Sequence, residues 1–285
     1  AVMLMVLQSL GRGVSGVRME VLERYRDFLN KNLIPHVPGE GSVGYLCVEA
    51  HIAAVLIGEG KAWYQGELLS AEEALKKAGM EPLTLSYKEG LALINGTTSP
   101  TALAALAVYR LTQAAETADV VAAMSLEGLK GQLRAFDSHV TACRPQTELE
   151  ETAEKLKSYL MDSEVVKKWE GSHLQDPLSL RCIPQLHGAA KRILKDAWEV
   201  VSCEINSCGD NPVVYGSEDE PDIYSNGNPD ASYVGMEMDA ACIAAANLAK
   251  MSERRNARFL DENLSGLPSF LVKNPGLNSG LMIPQ

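Results

Sequence analysis

TALAALAVYRLTQAAETADVVAAMSLEGL, residues 101–129, is the longest periodic stretch of the chain. Its AAL, AAET and VAAM clusters place small residues around much of a helix's circumference. A helix that is apolar so far round is expected to be buried on most of its faces. Small side chains also let neighbouring helices approach closely. The stretch therefore fits a bundle of long helices, formed either within one chain or between subunits.

The flanking sequence reads the same way. Residues 17–32 repeat apolar positions at Val17, Met19, Val21, Leu22, Tyr25 and Leu29 with Arg and Glu between them, the pattern of an amphipathic helix. Residues 46–57 are nearly all apolar, which predicts a short buried helix. LIGEGKAWYQGELL, residues 56–69, alternates and carries glycine at its turns, as a hairpin does. Ser70 is a good N-cap for the segment that follows, with Glu73 three residues on and Gly79 at its end. Residues 148–160, 188–204 and 234–259 supply further helices, and SEDEPDIYSNGNPDAS, residues 217–232, is polar enough to be loop. The expected fold class is mainly α: a long-helix bundle with functional loops at helix ends. Both ends of the chain fall inside patterned sequence, so residues 1–285 are expected to be one catalytic domain truncated at both ends.

Composition narrows the function. Hydrophobic residues make up 46% of the chain, enough for a sizeable core. The formal charge of −11 repels phosphate backbones, so no nucleic-acid partner is expected. No apolar run approaches the roughly 18 residues that would suggest a membrane span. The apolar start lacks a basic flank and a cleavage site, so a cytoplasmic protein is expected. The six cysteines (47, 143, 182, 203, 208 and 242) show no disulfide-scaffold spacing and are expected to be buried thiols. Neither they nor the five histidines show metal-ligand spacing.

Four polar, glycine-marked segments interrupt the helices: GEGSVG (39–44), LINGTTS (93–99), QDPLSLRC (175–182) and CGDNPVVYG (208–216). Taken singly, each reads as a turn with a helix cap. Together they supply a fixed cation, Arg181, suited to gripping a carboxylate with two hydrogen bonds, and the neutral groups of Asn95, Gln175 and Asn211. Arg181 has an alternative reading as a structural ion pair with a buried Asp. No Ser-His-Asp set, HExxH, P-loop or GxGxxG is present. The residues by themselves reach as far as a carboxylate-binding pocket for a small molecule.

The order of motifs adds more. LGRGVSGVR (10–18) resembles the ARGxSGxR segment of the histidine/phenylalanine ammonia-lyase family, and GSVG (41–44) resembles the approach to its Ala-Ser-Gly triad. Residues 58–97, ending KEGLALINGT, are similar to bacterial histidine ammonia-lyases. QDPLSLRCIPQ, the DNP of 210–212, SERR (252–255) and LSGLPSFLVKNPGLNSG (264–280) follow in the family's order. The resemblance implies an enzyme that eliminates ammonia from an amino acid, histidine preferred, giving urocanate. It implies a 4-methylidene-imidazol-5-one electrophile formed from Ala-Ser-Gly, covalent catalysis through it, and a homotetramer. Carried over residue by residue, it assigns Arg181 to the substrate carboxylate and Asn95 to the carboxylate or the electrophile. Gln175 and Asn211 would line the same pocket, and Gly44, Tyr45 and Leu46 would flank the cofactor.

The chain also departs from the family. Gly44 is followed directly by Tyr45, so the triad expected between them is not written, although its flanks align once three residues are inserted. Tyr45 replaces an Asp, Leu178 replaces a catalytic Tyr, and Pro229 and Asp230 replace an aromatic residue and its neighbour. Two further readings stay open. One is a Tyr/Phe ammonia-lyase or 2,3-aminomutase on the same cofactor. The other is a non-catalytic helical scaffold descended from the family, as a true deletion at Gly44–Tyr45 would favour.

Overall fold

The structure, a computed structural model, describes residues 1–41, 46, 48–217 and 219–285. These residues form two compact units. The first comprises Ala1–Ala107 with Trp198–Met236, the second Val108–Ala197 with Glu237–Gln285.

The first unit opens with helices α1 (Val2–Leu10) and α2 (Met19–Asn30). Val21 and Tyr25 of α2, two of the expected apolar positions, are fully buried together with Phe28 on one helical face, whereas Met19, also expected on it, is 67% exposed at the helix start. A three-stranded antiparallel sheet in the order β1 (Ile34–Pro35), β2 (Lys61–Tyr64), β3 (Glu67–Ser70) lies in the same core as α3 (Glu49–Leu56) and α4 (Ala71–Lys77). Gln65 and Gly66 both take positive φ, which gives the β2–β3 turn the twist that a two-residue hairpin needs. The Ser70 side chain caps α4 by accepting from the Glu73 N–H at 3.3 Å. The expected helix over 46–57 is confined to Glu49–Leu56, and Leu46 instead forms an isolated antiparallel bridge with Asn95. A short helix, α5 (Glu89–Ala92), precedes that asparagine.

The expected loop over 217–232 is corrected in its first half. Pro221–Tyr224 forms a strand, β5, paired antiparallel with β4 (Val213–Gly216). Tyr215 and Tyr224 meet edge-on at 6.1 Å between ring centroids. A two-stranded ladder needs only backbone groups, and β5 is exposed throughout, so its polar side chains gave no sign of it.

The long helices are α6 (Thr98–Gly128), α11 (Ile183–Ile205) and α12 (Ser232–Leu260). Within the second unit, Ala115, Ala190, Leu194, Ala241, Ala244 and Leu248 form one core from all three. A second core joins Ala122, Ala123 and Leu126 to Phe136, Ile183 and helix α8 (Thr147–Leu160), whose Ala153, Leu156 and Leu160 follow helical spacing. Short helices α7 (Ser138–Thr141), α9 (Glu164–Trp169), α10 (Leu178–Arg181) and α13 (Glu262–Ser265) complete this unit. Helix α6 is not buried on most of its faces, as its composition suggested. Leu103 and Met124 are 66% and 65% exposed, and Leu106, Tyr109 and Val121 are exposed beside them. Ala102, Ala104, Ala115, Ala122 and Ala123 are inside, together with Val108 and Leu126. Among the described residues the cysteines are exposed or half-buried free thiols, which corrects the expectation of buried ones. No helix among them is long and apolar enough to cross a membrane.

Candidate functional site

The four candidate polar residues fall into two pairs, one in each unit. Asn95 and Asn211 meet in the first. The loop 93–99 and the loop 208–216 touch backbone to backbone, which glycine at both contact positions permits. A Cβ on Gly209 would lie 2.8 Å from Thr97 Oγ1, and one on Gly96 would lie 3.0 Å from the Gly209 carbonyl oxygen. The Thr97 hydroxyl donates to Glu204 of α11, which closes the junction.

Within this junction the Asn95 amide donates twice, to Asp210 Oδ1 at 3.0 Å and to the Asn211 carbonyl at 3.1 Å. The Asn211 backbone N–H also donates to Asp210 Oδ1, at 2.8 Å, and its side-chain oxygen accepts from the Asn226 N–H at 2.8 Å. Asp210 is buried, and its second oxygen accepts from Lys88 Nζ. Lys88 and Asp210 are site residues that the sequence reading did not single out. The signal was present in both cases, in KEGLALINGT and in DNP. A second clamp sets Lys88 in place. The buried Glu89 carboxylate accepts from Arg18 Nε and Nη2, both at 2.9 Å, and from the Ser86 N–H at 2.7 Å. The hydrogen bonds from Arg18 hold the Glu89 carboxyl below the usual range. Two of the quoted motifs, GVR at 16–18 and KEG at 88–90, are thus halves of one ion pair.

Of the residues expected to flank a cofactor, Gly44 and Tyr45 lie outside the described residues. Leu46 is described, bridged to Asn95. Three residues on, the buried Glu49 carboxylate accepts from the Thr98 hydroxyl and from the Ser99 N–H at 2.6 Å. The chain just after residue 45 is therefore tied to the loop that carries Asn95. A separate cavity of about 1000 Å³ in this unit is lined by Arg12, Glu204, Cys208, Asn228, Asp230 and Tyr233 among others; neither Asn95 nor Asn211 lines it.

In the second unit, Gln175 and Arg181 pair with each other: Arg181 Nη1 donates to Gln175 Oε1. The loop before α10 is held by buried Asp176, which accepts from the Gln132 N–H at 2.7 Å and lies 2.9 Å from His173 Nε2. Among the described residues no carboxylate pairs with Arg181, so the ion-pair reading with a buried Asp finds no partner here; Asp176 is engaged elsewhere. Leu178, on the same short helix, is 60% exposed and lines a cavity of about 590 Å³ with Asn247, Arg254 and Arg258. Behind α10, buried Arg255 donates to the Ser179 carbonyl at 3.4 Å, and burial lowers its pKa to about 10. Among the described residues no group of His, Cys, Asp and Glu is arranged to hold a metal ion.

Comparison with known proteins agrees with the motif order. Over its full length the chain is 42% identical to histidine ammonia-lyase of Myxococcus xanthus, aligned over 289 residues. The chain spans 56% of that relative's length. Among solved structures, histidine ammonia-lyase from Trypanosoma cruzi superposes with a TM-score of 0.90 at 34% identity, covering 99% of this chain and 53% of that one. The Pantoea agglomerans phenylalanine aminomutase superposes with a TM-score of 0.91 at 35% identity, covering 99% and 58%. Residues 1–285 match the aromatic amino acid lyase family from end to end, and the chain belongs to that family.

Proposed function

We propose that the protein containing this chain is an ammonia-lyase, a carbon–nitrogen lyase, that eliminates ammonia from an amino acid, with histidine preferred and urocanate as product. The carrying observation is Arg181. It is a fixed cation whose side chain is met among the described residues only by the neutral Gln175, so its remaining donors suit a substrate carboxylate. Bidentate binding there would orient the substrate for reaction. In the other unit, Asn95 and Asn211 are locked together through Asp210 and carry neutral polar groups suited to an amino acid. Leu178 carries no group able to move a proton, so proton abstraction falls to another residue.

The reaction calls for an electron sink, because a β-proton is weakly acidic and ammonium leaves poorly. A 4-methylidene-imidazol-5-one group between Gly44 and Tyr45 would supply one. Residues 1–285 contain no Ala-Ser-Gly from which to form it. The residues beyond that position do suit it, since Leu46 and Glu49 tie its C-terminal flank to the Asn95 loop. We read the triad as present in modified form. The test is the mass of the proteolytic fragment from Gly41 to His51. A mass above the written sequence by Ala, Ser and Gly less two waters supports the reading. A mass equal to the written sequence removes the electrophile and leaves the scaffold reading.

The likeness to the phenylalanine aminomutase keeps one other reading in play: an aromatic amino acid lyase or a 2,3-aminomutase. Detection of a β-amino acid among the products would select the mutase. Residues 1–285 serve in this proposal as one catalytic domain of a cytoplasmic homotetramer. The exposed apolar residues along α6 support the assembly, and free thiols support a reducing compartment.

A further inference from the structure

We propose that a cavity in the second unit, walled by Lys130 and Arg258, is an anion site that takes a small oxyanion carrying two negative charges. The site is separate from the residues assigned to the reaction and does not rest on the lyase reading. The cavity has a volume of about 380 Å³, toward the small end of ligand sites, which run from roughly 300 to 1,000 Å³. Its walls come from three stretches of that unit, at 129–130, 169–180 and 258–266. Neither Arg181 nor Leu178 lines it.

What decides the ligand is which of the lining groups are already spent. Asp176, the one carboxylate among them, is buried and commits both oxygens: Oδ2 accepts from the Gln132 N–H at 2.7 Å, and Oδ1 lies 2.9 Å from His173 Nε2. The other ring nitrogen of His173 meets the Ser172 hydroxyl at 2.9 Å. The Ser265 hydroxyl is turned to the Phe259 and Asp261 carbonyls. The side-chain acceptors are thus engaged, and the donors are not. Lys130, Arg258 and the Trp169 indole N–H have no acceptor among the described residues. Gln175, whose oxygen accepts from Arg181, keeps its amide N–H groups. Lys130 and Arg258 are half-buried, and neither has a carboxylate partner among the described residues. In a chain with 37 acidic and 26 basic residues, that is not for want of carboxylates. The Lys130 ammonium is also held in place: it stands 4.9 Å from the centre of the Trp169 ring, a contact that positions a cation without neutralising it. It faces the opposite wall across open space, since a Cβ on Gly266 would lie 3.9 Å from Lys130 Nζ and meet nothing else within 4 Å. Two cations and neutral donors with no free acceptor repel amines and metal ions and complement an anion. Two positive charges match two negative ones, and the small volume calls for a compact ligand, a phosphate or a short dicarboxylate.

The test is direct binding of inorganic phosphate and of malonate, measured calorimetrically on the full-length protein with chloride as background salt at constant ionic strength. The wild type is expected to bind at least one of them, and the tighter of the two tells a phosphate site from a dicarboxylate site. Lys130→Gln and Arg258→Gln are each expected to weaken binding about tenfold, the loss of one charge-assisted contact, and Lys130→Arg to keep it within about threefold. Arg181→Gln is expected to leave binding within about twofold, because Arg181 is not on the wall. The two cations are changed separately, so either variant decides the matter should the other fail to fold by circular dichroism. A wild type that binds neither anion overturns the site, as does unchanged binding in the folded Gln variants. Binding lost in Arg181→Gln places the anion at the proposed substrate carboxylate contact and overturns it as well. No readout here is turnover, so the outcome stands apart from the fate of the lyase reading.

Discussion

At the scale of single residues, the chemistry rests on which polar groups remain uncommitted. Arg181 is the clearest case. Its guanidinium faces a neutral amide, while the nearby buried Asp176 is satisfied by Gln132 and His173. Arg181→Ala is expected to lower kcat/KM by about 10²–10³-fold through lost orientation, and Arg181→Lys to recover only part of it, because an ammonium lacks the planar fork. Steady-state kinetics on the amino acid that the wild type turns over checks both. A different residue, His187, is expected to contribute to behaviour in acid. It is fully buried, with Nδ1 2.8 Å from Asp119 Oδ1 and no partner for Nε2 among the described residues. Burial is the main cause that lowers its pKa, with Arg255 and Lys191 adding repulsion against the contribution of Asp119. The folded state therefore disfavours the protonated ring. The unfolded chain takes up that proton near the ordinary value of about 6.5, so this contribution to stability is complete above that pH and is lost as pH falls below it. Thermal melts from pH 8 to 5.5 should show a declining Tm, and His187→Gln should flatten the decline.

At the scale of elements, the site depends on how closely two loops can approach. Gly209 admits Thr97 at a distance where no Cβ fits, and the obstacle includes backbone, the Thr97 nitrogen 3.0 Å away. Gly209→Ala is therefore expected to cost about 1–3 kcal/mol and to displace Asp210 from Asn95. Denaturant unfolding gives the first quantity, and the amide spectrum of Asn95 reports the second. Much of this level was legible in advance. The amphipathic pattern of α2, the Ser70 cap of α4 and the β2–β3 hairpin all rest on local rules that neighbouring residues carry. β5 was not legible, because a strand exposed along its length needs no apolar alternation. The pairing of Asn95 with Asp210 was not legible either, since 115 positions separate them.

At the scale of the whole molecule, helix α6 poses the main question. Its interior positions are mostly alanines and other small residues, while Leu103, Leu106, Tyr109, Val121 and Met124 face outward in the single chain. A run of exposed large apolar side chains on one helix marks a surface that another surface covers. The proposed tetramer predicts that Leu103→Glu with Met124→Glu reduces the assembly to smaller species by light scattering, while the helical circular dichroism signal persists. A wild-type protein that is already monomeric would sink the assembly.

Residue types and their order were enough to determine a helix-rich chain of the aromatic amino acid lyase family, with Asn95, Gln175, Arg181 and Asn211 as its candidate polar residues. Those conclusions follow from local periodicity, capping and motif order, all written along the chain. Tertiary structure alone decided which groups are already spent on one another. Asp210 holds Asn95 and Lys88, Gln175 takes one donor of Arg181, and Asp176 is turned to Gln132. The reason is physical. A hydrogen-bonding group has a fixed capacity, and which partner fills it depends on distances between residues that the chain order does not contain.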